Sequence, residues 1–133
     1  MKTTNNAQIL CVDDETTGLM VRKLTLESKG YRALTAESGP EGLSVFSQES
    51  VDLVVLDYMM PVMNGHEVAN RMRQIKPSVP ILLLSAYVDL PPETLALVDR
   101  YVMKGEGPIV LLAAIADLLD GGARPRRLTA TLK

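Results

Sequence analysis

The chain has 133 residues, nearly half of them apolar and under a quarter charged, which suits one packed domain and excludes a disordered chain. A net charge of -2 argues against binding nucleic acid or an anionic membrane by bulk electrostatics, and the single cysteine, Cys11, excludes an internal disulfide framework. The amino-terminal residues lack the basic-then-apolar order of a signal peptide, and no apolar run approaches the ~20 residues that span a bilayer, so a cytoplasmic location is expected.

Residues 9–12 (Ile-Leu-Cys-Val) read as a first strand. Asp13, Asp14 and Glu15 then open a helix, their charge complementing the positive end of its dipole, and Gly30 stops it. Residues 31–35 alternate like a half-buried second strand. Ser38 and Glu41 have capping-box spacing, with Pro40 in the first turn, and the helix they open puts Leu43 and Phe46 on one side. Residues 51–56 are apolar apart from Asp52, as a strand covered on both faces requires. The strand ends on Asp57, and Tyr58-Met-Met-Pro-Val-Met-Asn-Gly65 turns the chain sharply. The next helix starts at Asn64, carries Val68, Met72 and Ile75 as a core stripe, and ends at Pro77. Residues 81–84 are a fourth buried strand. Pro91-Pro92 opens a short helix to about Asp99, residues 101–103 form a fifth strand, and residues 108–119 form the last helix. Residues 7–120 make one domain by this reading, and residues 121–133 a flexible basic tail containing Arg124, Arg126 and Arg127.

Strands alternating with helices predict an α/β fold of the flavodoxin-like, doubly wound type: a five-stranded parallel sheet, five helices, and strand order 2-1-3-4-5. In such sheets, ligands bind beyond the carboxyl ends of the strands where the order reverses. Asp13 and Asp14 follow the first strand, Asp57 the third, Ser85 the fourth and Lys104 the fifth, so all converge on one rim. Three ionised carboxylates repel one another unless a cation intervenes. Mg²⁺, which takes oxygen ligands, is the natural choice, with Mn²⁺ as its substitute. A carboxylate beside such an ion can act as a nucleophile toward phosphorus, while a hydroxyl and an ammonium neutralise the phosphoryl oxygens. Singly, each residue has a plainer reading: an acidic helix start, a turn carboxylate, a cap, a surface charge. His66 reads as a surface histidine, Cys11 as a small buried hydrophobe, and Met59, Met60 and Met63 as fillers around the loop.

Asp13-Asp14, Asp57 within D-Y-M-M-P-V-M-N-G, Ser85-Ala86 and Lys104 together resemble the receiver domain of two-component response regulators, over about residues 7–120. That resemblance implies that Asp57 accepts a phosphoryl group from a phosphohistidine on a histidine kinase or phosphotransfer protein. It implies that Asp14, Asp57 and the backbone carbonyl of Met59 hold Mg²⁺, with Asp13 acting mainly through water, and that Ser85 and Lys104 bind phosphoryl oxygens. Ser85 and Tyr101 match the family's switch pair, in which the aromatic swings inward as the serine moves toward the phosphate. Beyond handling its own phosphoryl group, such a module is not an enzyme, and its output is to a downstream protein target. Two alternatives remain open: an interaction module that keeps the fold without phosphorylation, and a receiver fragment of a larger regulator or hybrid kinase. An aspartyl phosphatase would want an acid two residues after Asp57, where Met59 stands.

Three features depart from the family. Lys104 precedes Gly105 instead of proline, and a cis bond there would cost ~2.5–4 kcal/mol, so a trans or mobile loop is expected. The short Ser85-to-Lys104 segment with Pro91-Pro92 predicts a short or shifted fourth helix. Ile109, Val110, Ala114 and Ala116 make the outer side of the last helix apolar, so the Tyr101–Leu119 region is expected to dock a partner or a second copy as a homodimer. Finally, Met59 and Tyr87 lack an amide or carboxylate to orient water, which predicts slow loss of phosphate.

Overall fold

The computed structural model describes residues 6–86 and 89–121, so Tyr87 and nearly all of the expected tail lie outside the described residues. Five strands, β1 (Gln8–Val12), β2 (Arg32–Ala36), β3 (Leu53–Asp57), β4 (Ile81–Ser85) and β5 (Arg100–Met103), pair in parallel in the order β2-β1-β3-β4-β5. The helices are α1 (Thr16–Ser28), α2 (Gly39–Gln48), α3 (Gly65–Ile75), α4 (Pro92–Leu95) and α5 (Pro108–Leu119). The predicted architecture is the observed one.

The period of two along each strand sorts side chains between two cores. Ile9, Cys11, Leu53, Val55, Leu82 and Leu84 face α1 and α5, where they meet Leu19, Leu26, Leu111, Ile115 and Leu118. Leu10, Val12, Val54, Leu56, Ile81 and Leu83 face the other way and meet Phe46, Val68, Ala69 and Met72. Because both faces are covered, the inner strands β1, β3 and β4 read as nearly unbroken apolar runs. Cys11 is a small hydrophobe in the first core, and burial pushes its thiol up to about 12. Helix α2 approaches closely through glycines: a Cβ at Gly42 would stand 2.9 Å from Val12 Cγ2, and one at Gly39 2.9 Å from Val68 Cγ2.

Local signals set the helix starts, with some corrections. Asn64 and Glu67 form a reciprocal capping box at α3. At α2 only half of the expected box is present. Ser38 Oγ accepts from the Glu41 amide, but Glu41 accepts from Glu37 N–H instead. Asp13, Asp14 and Glu15 precede α1 rather than filling its first turn, because Asp13 continues the β1 ladder by donating to Ala36 O at 3.1 Å. Ile75 is 43% exposed, so the α3 core stripe runs through Gly65, Val68, Ala69 and Met72 without it. The fourth helix is short, as expected, but ends at Leu95 instead of near Asp99. On α5, Ile109 and Val110 are exposed, whereas Ala114 is buried and Ala116 half-buried, so the apolar outer patch is narrower than predicted.

The edge opposite the predicted site is clamped by a buried ion pair. Asp99 is fully buried and accepts from Arg73 Nη2 at 2.6 Å and from the Ile81 amide at 2.8 Å. Arg73 also donates to Leu97 O, Pro77 O and Val79 O, tying α3 to both segments that lead into β4 and β5. Removing one partner of such a pair leaves an uncompensated buried charge. Asp99→Ala is therefore expected to destabilise the fold by about 3–5 kcal/mol in urea denaturation; a loss under ~1 kcal/mol would show that the clamp is not structural.

Candidate functional site

Strand register delivers the site. Val12 pairs with Leu56, so Asp13 and Asp57 emerge side by side one residue further on. Asp57 pairs with Leu84 and Ser85 with Met103, which sets Ser85 and Lys104 on the same rim. Asp13, Asp57 and Ser85 are buried, Asp14 is exposed, and each of the three aspartates offers an oxygen within 4.8 Å of the others.

Lys104 spans this cluster. Its Nζ stands 3.0 Å from Asp57 Oδ1 and 3.4 Å from Asp13 Oδ2. The Lys104–Gly105 bond is trans, in a single 3₁₀ turn, Lys104–Glu106, and Gly107 follows at φ 88°. The missing proline therefore does not keep the ammonium from the acids. Burial raises the Asp57 pKa to about 6, with the Asp13 charge adding to it and the Lys104 contact opposing it. For Lys104, burial works against the charge, but Asp57 and Asp13 together outweigh it and hold its pKa above the ordinary range.

The loop after Asp57 is shaped by close contacts. Tyr58 N–H donates to Leu84 O at 2.9 Å, and Gly65 N–H returns to Tyr58 O at 2.8 Å. A Cβ on Gly65 would lie 2.8 Å from Asp57 O, so glycine is what lets α3 begin against the backbone of the acid. Val62 takes φ 70° at the loop tip, where Met63 N–H donates to Pro61 O across a three-residue turn. Met60 fills a gap under the loop and Met63 packs partly, but the Met59 side chain is half exposed and fills nothing. Tyr101 is half-buried against the α2–α3 core.

Two contacts escaped the sequence reading. His66 is not a bare surface residue: its Nδ1 lies 2.9 Å from Oγ1 of the buried Thr94, linking α3 to α4. Arg22 reaches Asp13 Oδ2 at 3.2 Å. Its signal was present, since Arg22 sits three residues after Leu19 and four before Leu26, inside the buried stripe of α1.

Comparison with known proteins agrees with this arrangement. Residues 9–116 match the family described as response regulator receiver domain. The chain is 36% identical over 120 residues to the transcriptional regulatory protein GlrR of Escherichia coli, covering 88% of this chain and 27% of that protein. It is 37% identical over 117 residues to the alkaline phosphatase synthesis transcriptional regulatory protein PhoP of Bacillus subtilis, covering 86% and 49%. The chain thus spans about a quarter to a half of the curated relatives it matches. Among solved structures, a CheY-like receiver from Methanospirillum hungatei aligns at TM-score 0.81 and 30% identity, covering 87% of this chain and 95% of that one. The response regulator TrrA of Thermotoga maritima, solved with Mg²⁺ and BeF, aligns at TM-score 0.78 and 37% identity, covering 84% and 98%.

The raised Asp57 pKa has a thermodynamic consequence. Between its unfolded value near 3.8 and about 6, the native state binds more protons than the unfolded state, so this group adds stability as pH falls through 6. In chelator-containing buffer, wild type is expected to gain about 1 kcal/mol relative to Asp57→Asn between pH 7.5 and pH 5. Urea denaturation of both proteins checks this, since the other titrations cancel in the difference; a difference that stays flat with pH would contradict the assignment.

Proposed function

The chain belongs to the response regulator receiver family, and on that premise we propose that Asp57 is a phosphoacceptor whose phosphorylation switches a protein-binding surface. The observation that carries this reading is the 3.0 Å contact between Lys104 and a buried Asp57, beside Asp13. An Asp57 oxygen attacks the phosphorus of a phosphohistidine, the P–N bond breaks, and the imidazole takes up a proton as it leaves. Lys104 Nζ and the Ser85 hydroxyl receive the transferred oxygens. The acid must be ionised to attack, and a cation bound beside it would favour the ionised form.

The acid cluster fits a hard divalent cation. Three carboxylates converge within 4.8 Å, and Asp14 is exposed to solvent beside two buried partners. Asp14, Asp57 and the backbone carbonyl of Met59 would hold Mg²⁺, with Asp13 acting through water, and Mn²⁺ would substitute. Once bound, the ion supplies neutralisation of the developing charge on the phosphoryl oxygens. The activity amounts to phosphorylation and dephosphorylation of the chain's own aspartate, not turnover of an external substrate.

The donor is a histidine kinase or a phosphotransfer protein, as for response regulators generally. Readout runs through the β5–α5 edge, where Tyr101 is half-buried and Ile109 and Val110 are exposed. A downstream protein, or a second copy in a homodimer, docks there once Ser85 and Tyr101 have rearranged. The trigger is a population shift, driven by contacts that exist only after phosphorylation.

Incubation with acetyl phosphate and Mg²⁺ is expected to add one phosphoryl group by intact mass in wild type and none in Asp57→Asn. Lys104→Ala should accept it at a rate reduced at least about tenfold. The phosphoryl group should persist for minutes or longer after the donor is removed, because Met59 carries no group to orient water. A wild-type protein that gains no phosphoryl group would leave a receiver-like interaction module in place of a phosphoacceptor, and loss within seconds would refute the lifetime.

A further inference from the structure

Asp13 is fully buried, and donors of this chain engage both of its oxygens. Oδ1 accepts from the Glu15 amide at 3.0 Å. Oδ2 accepts from Arg22 Nη1 at 3.2 Å and from Lys104 Nζ at 3.4 Å. The two cations are not equivalent. Lys104 is shared with Asp57 and its side chain is 31% exposed, whereas Arg22 rises from the middle of α1 with only 12% of its side chain exposed.

Arg22 also occupies a costly place. Its neighbours on that stripe of α1, Leu19 and Leu26, are core residues, and a guanidinium there is tolerated only with a partner. It borders a half-open cleft of about 370 Å³ between α1 and the stretch from Val102 to Leu111, with Gly18 also in the wall. A Cβ at Gly18 would stand 3.1 Å from the flexible Glu15 carboxylate and 3.9 Å from Arg22 Nη2, so the backbone does not demand glycine there. The missing side chain instead leaves space beside the guanidinium.

Resting on the reading of Asp13, Asp14 and Asp57 as a divalent-cation site, we propose that Arg22 is the resident counter-ion of Asp13 and sets the affinity of that site. A fixed positive charge one side chain away offsets part of the attraction of three carboxylates and keeps Asp13 turned to its own chain. The cation is then held chiefly by Asp14 and Asp57 and exchanges readily. Arg22 is a positioning residue here, because it acts through Asp13 and touches neither metal nor phosphate.

Calorimetric titration with MgCl₂ tests this on wild type, Arg22→Met, Arg22→Gln and Arg22→Lys, each first checked for folding by thermal melting in chelator. Removing the charge is expected to tighten Mg²⁺ binding about tenfold in Arg22→Met and Arg22→Gln, while Arg22→Lys stays within about twofold of wild type. A merely structural role would move affinity the other way, because a loosened site binds more weakly. Arg22→Gln keeps a donor for Asp13 and carries the test if Arg22→Met does not fold. Wild-type binding with unchanged or weaker affinity in the neutral variants overturns this inference alone. Absence of Mg²⁺ binding in every protein overturns it together with the metal reading.

Discussion

The site depends on one constraint: two buried carboxylates, Asp13 and Asp57, must coexist at the end of a parallel sheet. Without compensation, one of them would hold a proton. The ammonium of Lys104 lies between them, 3.0 Å from one and 3.4 Å from the other, and the guanidinium of Arg22 supports Asp13 from behind. Even so, burial keeps the Asp57 pKa near 6, so the cluster is under-compensated in its resting form. Such a cluster is poised to accept more positive charge and then a group that Lys104 can follow. The β1–β3 register that sets Val12 against Leu56 makes the juxtaposition unavoidable.

The remainder of the fold fastens the sheet around that rim. Gly65 seats α3 against the Asp57 backbone, and the Arg73–Asp99 clamp fastens the opposite edge of β4 and β5. Between them, α4 has shrunk to four residues and is tied to α3 through His66 and Thr94. The beginning of β4 is thus pinned.

The sheet and its five rim residues were legible because each depends on a local signal: an apolar run of strand length, then polar residues at its carboxyl end. Residues 53–57 and 81–85 carry that signal plainly. What stayed hidden depends on side chains meeting across elements. Nothing near Thr94 announces that His66 will meet it, and Val62 is not a residue whose type signals positive φ. Ile75 fits the helical period but is the last residue of α3 and is exposed, so periodicity alone misplaced it. Lys104 shows the converse. Without proline a trans bond was expected and is present, and the Gly105 turn still carries the ammonium to the acids. Arg22 went unread, although its place between Leu19 and Leu26 puts a charge inside the buried stripe of α1.

The central claim is that phosphoryl transfer occurs at Asp57 and nowhere else on the chain. Borohydride reduction of protein treated with acetyl phosphate and Mg²⁺, followed by peptide mapping, addresses it directly, because an aspartyl phosphate is reduced to homoserine. The account predicts homoserine at position 57 alone, dependent on Mg²⁺. Intact aspartate at 57, or homoserine at Asp13 or Asp14, would contradict it.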